Sequence, residues 1–132
     1  MISFKEHKLI TEDLSKADLD AVERMADKLF AKVGIDVVFS SHFIKRVNDI
    51  RNKNRPISGA ELVRIFKLTY KKYGKKIPEL GEEGESVLFD INSNLNIPFI
   101  LHWDDKNHEF DMVSKTVMRT PNFKSVWPKL RV

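Results

Sequence analysis

Between residues 15 and 33 the apolar positions recur every three or four residues: Leu19, Val22, Met25, Ala26, Leu29, Phe30 and Val33. That period predicts an amphipathic helix, because it brings those positions onto one face. Ser15 with Asp18 three residues on is a capping-box start, and Gly34 is a natural residue just past the end. The pattern then changes. "IDVVF" (35–39) is short and β-branched and predicts a strand. Ser40 or Ser41 caps a second helix over 41–53, with Phe43, Ile44, Val47 and Ile50 as its buried stripe. Ser58 and Glu61 form another capping box and open a helix over 59–74. Leu62, Phe66, Thr69, Tyr70 and Tyr73 make its apolar face, and Arg64, Lys67, Lys71 and Lys75 a basic stripe opposite.

"GKKIPELGEEGES" is punctuated by Gly and Pro and predicts an acidic loop. Period-two or short apolar runs then predict strands at 86–91, 97–103 and 109–119, with "DDKNHE" as a hairpin connection. The order α-β-α-α-β-β-β predicts an α+β fold: an antiparallel four-stranded sheet with helices packed on one face. One domain spans 1–132, with a leader at 1–14 and a basic tail at 121–132 anchored by Phe123 and Trp127. Strict alternation along 109–119 would put Phe110, Met112, Ser114, Thr116 and Met118 on one face. Asp111, Val113, Lys115, Val117 and Arg119 would take the other, so Lys115 and Arg119 are expected on the open side of the sheet.

Composition narrows the class. The 42% apolar share allows a real core, and the absence of cysteine excludes disulfides and Cys-ligated metal centres. No apolar run is long enough to span a membrane, and the amino end lacks a signal-peptide core, so a soluble intracellular protein is expected. Charge changes the picture more. Residues 1–41 hold six basic and eight acidic side chains, and 42–76 hold eleven and two. Residues 77–111 hold one and nine, and 112–132 hold five and none. Two basic blocks flank an acidic one. They are either mixed solvated faces or a polyanion site built from both blocks.

Two groups could carry chemistry. His42, Arg46, Asp49 and Lys53 lie on one helix flank by spacing. They make either a solvated flank with Arg46 paired to Asp49, or a proton-transfer histidine beside a guanidinium that holds phosphate. Lys115, Thr116 and Arg119 on the last strand are either solvated or a phosphate clamp. RNA cleavage through the 2′-hydroxyl needs proton transfer and cations at the phosphate, and no metal. Asp104, Asp105, His108, Glu109 and Asp111 cluster near a hairpin without a recognised metal-ligand spacing, so neither metal nor cofactor is expected.

"VVFSSHFIKRVNDIRN" followed by "PISGAELVRIF", in the order strand–helix–helix–three strands, resembles the RelE-like toxins. More broadly it resembles the barnase–EndoU–colicin–RelE group of metal-independent ribonucleases, over residues 35–120. His42, Arg46 and Arg51 would match that group's histidine–arginine helix. The resemblance implies an endoribonuclease with His42 moving the proton, Arg46, Lys115 and Arg119 holding phosphate and Thr116 donating a hydrogen bond. Arg51, Arg64, Lys67, Lys71 and Lys75 would extend the track for RNA or single-stranded nucleic acid. The leader "ISFKEHKLITED" is similar to the amino ends of tailed-phage proteins. That similarity implies a phage source, a place in the host cytoplasm or the virion, and virion proteins as partners. The rival expectation is a non-catalytic virion or host-takeover protein that binds nucleic acid or an acidic partner through its basic surfaces. The discriminator is whether His42, Lys115 and Arg119 share one concave site.

Overall fold

A computed structural model describes residues 14–49 and 55–132. Helix α1 spans Lys16–Phe30 and passes through a short 3-10 turn (Ala31–Val33) into strand β1, Ile35–Phe39. Helix α2 is Ser41–Val47, and helix α3 is Gly59–Tyr73. A 3-10 turn (Ile77–Leu80) leads to β2 (Glu85–Asp90), β3 (Leu95–Asp104), β4 (Glu109–Ser114), β5 (Met118–Arg119) and β6 (Lys129–Arg131). Local chemistry starts each helix. Ser15 and Asp18 close a reciprocal box at α1, and Ser58 and Glu61 do the same at α3. Ser40 accepts from Phe43 N, 3.0 Å, at α2. Gly34 takes φ 75°, a left-handed turn that lets the chain leave the helix and enter β1.

The class is α+β, but the sheet is mixed and six-stranded, in the order β1-β4-β3-β2-β6, with β5 also pairing β3. β1 runs parallel to β4 and β6 parallel to β2, while β2–β3 and β3–β4 are antiparallel. The expected antiparallel four-stranded sheet is therefore corrected in two places. First, the tail adds β6. Second, the expected strand 109–119 is broken. Phe99 faces Ser114, but Leu95 faces Arg119, so the β4–β5 side carries one extra residue. Pro98 explains the break. Its carbonyl accepts from Lys115 N, 2.9 Å. A strand residue points its N and O to the same side, so the N–H that proline lacks would face this interrupted ladder.

The core lies between one face of the sheet and the helices. Leu19, Val22, Ala26 and Phe30 from α1 and Leu62, Ile65 and Phe66 from α3 pack with Val37, Leu88, Ile97, Phe99 and Met112. Each such large side chain contributes roughly 1.5–3 kcal/mol by leaving water. Phe43 from α2 meets the Phe39 ring at 4.5 Å between centroids, tying the short helix to β1. Val87 and Phe89 are buried but stand outside this cluster.

Both sheet edges are occupied by helix side chains. At β1, Asp27 Oδ1 accepts from Val37 N, 2.6 Å, and Glu23 Oε2 accepts from Phe39 N, 2.7 Å. At β6, Tyr73 Oη donates to Arg131 O, 3.1 Å. Burial, followed by hydrogen bonding and repulsion from Asp36, pushes the Asp27 carboxyl up to about 7. Among the described residues no helix is long and apolar enough to cross a membrane.

Candidate nucleic-acid interface

Helix α3 carries charge along its whole length but handles it differently at its two ends. Near its start, Arg64 turns inward from the expected basic stripe. Its guanidinium makes a two-pronged contact with Asp90, which is fully buried at the end of β2. Ser93 Oγ donates to the same carboxylate. Burial pushes Asp90 up, but the Arg64 and Ser93 hydrogen bonds outweigh it and hold the carboxyl below its ordinary value. The same pairing raises Arg64.

Beside this pair, Arg119 makes a fork to Glu61, at 2.9 Å and 2.8 Å. It also donates to Ser93 O, 3.0 Å, Arg55 O, 2.9 Å, and Pro56 O, 3.2 Å. Both side chains of the pair are nearly buried, at 10% and 12% exposure. Burial raises Glu61, yet the Arg119 hydrogen bonds and charge outweigh it and lower the carboxyl. The expectation of Arg119 on the open face is thus corrected. The extra residue between β4 and β5 reverses the alternation, so Val117 enters the core and Arg119 reaches the start of α3. Arg119 is an internal tie that anchors the Arg55–Pro56 backbone.

Lys115 does stand on the sheet's outer side, where its ammonium pairs with Glu85, 2.7 Å. Thr116 is half-buried in the bulge. His42 is exposed near the start of α2, and its Nε2 accepts from Arg46 Nε, 3.2 Å. Arg46 also approaches Asp49, 3.6 Å. Ser40 Oγ donates to Lys115 O, 3.1 Å, so the start of α2 is tied to the end of β4. The described interactions nonetheless direct the three expected catalytic cations to different partners: Arg46 to Asp49, Lys115 to Glu85 and Arg119 to Glu61. Arg51 and Lys53 lie outside the described residues.

The other end of α3 has a different character. Tyr70, Lys71, Lys72, Gly74, Lys75 and Lys76 line a depression of about 400 Å³. All four lysines are exposed, and among the described residues no carboxylate pairs with them. Lys32 approaches the same Tyr70 ring at 6.0 Å, and Lys67 is exposed one turn earlier. Gly74 lets the chain turn tightly here, because a Cβ would lie 2.5 Å from Tyr70 O. The helix C-terminus adds partial negative charge, which favours cations gathering at this end.

A separate region is acidic. Asp36, Glu109 and Asp111 bring carboxylate oxygens within 4.8 Å of one another on neighbouring strands. Burial and then the charge of Asp36 push Glu109 and Asp111 above their ordinary values. Carboxylates gathered in this way make the region unfavourable for phosphate.

No family model, curated protein or solved structure matches the chain. The functional reading therefore rests on these residues. Lys71 and Lys75 belong to the basic stripe that spacing predicts. Lys72 and Lys76 fall outside that stripe, although the doublets in "YKKYGKK" are the signal that could have found them. Trp127, expected as an anchor, is 43% exposed.

Proposed function

We propose that the protein binds nucleic acid without cleaving it, through the lysine-lined depression at the end of α3. The observation that carries this reading is the convergence of Lys71, Lys72, Lys75 and Lys76 without carboxylate partners among the described residues. Such ammonium groups gain most from a polyanion, because each phosphate they neutralise releases condensed counterions. Cleavage by His42, Arg46, Lys115, Thr116 and Arg119 is disfavoured. The Arg119 guanidinium is enclosed by Glu61 and three carbonyls, and Lys115 is held by Glu85. A transition-state clamp needs donors aimed at the reacting phosphate. Filter binding of a mixed-sequence oligonucleotide across a salt series tests the reading. A steep linear fall of log affinity with log salt is expected. Undetectable binding at low salt would remove it.

A further inference from the structure

The C-terminal tail carries a second set of cations. From Thr120 the chain passes from the β5 side of β3 to β6, on the far side of β2. There Pro128 O is gripped by Val87 N, 3.1 Å, and by Ser86 Oγ, 2.7 Å. Trp127 N donates to Ser125 Oγ, 3.0 Å. The backbone just after Trp127 is therefore fixed to β2, and a local turn bond shapes the step before it. Its neighbour Val126 is 90% exposed, and Trp127 itself keeps 43% of its surface in water.

The tail that carries this indole is basic in sequence. Residues 112–132 hold five basic side chains and no acidic one. Lys129 Nζ stands 4.9 Å and the Arg131 guanidinium 5.5 Å from the Phe89 ring centre, which orients both along the outer side of β2. The Tyr73–Arg131 bond then joins β6 to the last turn of α3, where the lysine depression begins. Lys129 and Arg131 thus stand on the strand whose backbone is tied to the last turn of α3, and the exposed indole of Trp127 precedes that strand by two residues.

We propose that the ligand is single-stranded nucleic acid, that Trp127 is the platform on which one of its bases stacks, and that the lysines of α3 and the cations of β6 hold the flanking phosphates. The inference rests on the polyanion reading and adds the class of ligand. A base offers an aromatic face to an indole only when it is not enclosed in a duplex, and such stacking is sequence-tolerant. An acidic peptide would satisfy the lysines but has no general use for a flat, positively flanked indole.

The chain has two tryptophans, so Trp103→Phe leaves Trp127 as the only indole reporter. This variant is titrated with an oligothymidylate, a duplex of equal length and heparin. Trp127 emission should be quenched by the single strand and not by heparin. Trp127→Ala should weaken oligothymidylate binding roughly 5- to 100-fold. Its salt slope and its affinity for heparin should not change, and Trp127→Phe should recover most of the affinity. Thermal unfolding of each variant separates misfolding from the absence of the stacking platform. Equal binding of duplex and single strand, or wild-type affinity in Trp127→Ala, overturns the stacking proposal while leaving lysine-dependent binding in place. Failure of all three ligands to bind overturns both readings.

Discussion

The two halves of helix α3 use the same kind of side chain for opposite ends. In the first half, Arg64 finds Asp90, and Glu61 finds Arg119, each as a fork on a carboxylate. In the last turn, Lys71 and Lys72, followed by Lys75 and Lys76, face water around Tyr70 and Gly74. Geometry selects the residue type. A planar guanidinium suits a nearly enclosed fork, whereas a hydrated ammonium on a flexible stem suits a moving polyanion. Positive charge by itself is therefore a poor guide to function. What separates the two regions is whether a carboxylate waits within reach.

Removing the partner at the inner end should give the largest effect. Arg119→Ala leaves the Glu61 carboxylate enclosed without its counter-charge, and removes the ties to Arg55 and Pro56. A destabilisation of about 3 kcal/mol in urea unfolding is expected, with oligonucleotide binding retained by the folded fraction. A value below about 0.5 kcal/mol would place Arg119 with the solvated lysines instead.

The opposite result is expected at the other end. Replacing Lys71, Lys72, Lys75 and Lys76 together by alanine should change stability by less than about 1 kcal/mol, since none is buried and none is paired among the described residues. The slope of log affinity against log salt should become shallower by about 1 for each phosphate no longer neutralised. An unchanged slope would dissolve the contrast between the halves.

A smaller effect concerns α1. The Asp27 carboxyl is raised to about 7 in the folded protein, against an ordinary 3.8. The folded state then holds a proton that the unfolded chain releases, so stability from this group is present below pH 4 and lost as pH rises through 7. Asp27→Asn keeps an oxygen for Val37 N and abolishes that titration. Because Asp27 is only half-buried, solvent screening reduces the effect to on the order of 1 kcal/mol between pH 5 and pH 8. Urea melts at those two pH values should show the wild type weakening more than the variant on going to pH 8. A parallel shift in both proteins would mean that other groups set the trend.

His42→Ala should have the least effect. Stability should stay within about 0.5 kcal/mol, and RNA incubated in EDTA should remain intact with either protein. Histidine-dependent cleavage would restore a catalytic reading of α2.

The parts legible in the sequence are those decided within a few residues. Ser15–Asp18 and Ser58–Glu61 mark their helix starts because each box closes over one turn. The β1 pattern and the Gly34 turn are equally local. Pairing between distant segments is not legible. Nothing near residue 35 says that β1 will run parallel to β4, and nothing in "PKLRV" says that β2 will accept it as an edge strand. Pro98 is the signal that strict alternation passes over. A proline inside "NIPFI" reports an interrupted ladder, and that interruption moves Arg119 from the open face to Glu61. Arg64 and Lys67 share one stripe by spacing, and only the presence of Asp90 beneath the first separates them. The candidate site is half legible for the same reason. Lys71 and Lys75 are visible by period, whereas the exposure of Trp127 depends on where Pro128 is held.

The helix side chains at the sheet edges bear on how copies of this protein can crowd. A strand that offers open donors or acceptors is a template for the next molecule, and a sheet with two such edges can grow into a fibre. Here Glu23 and Asp27 occupy donors of β1, and Tyr73 occupies an acceptor of β6. The stoppers have opposite polarity, matched to the group each covers. On the proposed reading, molecules bound side by side along a strand of nucleic acid would meet at high local concentration, the condition in which edge-to-edge pairing spreads. On that reading these plugs would let neighbours gather densely on a shared ligand and still separate when it is removed.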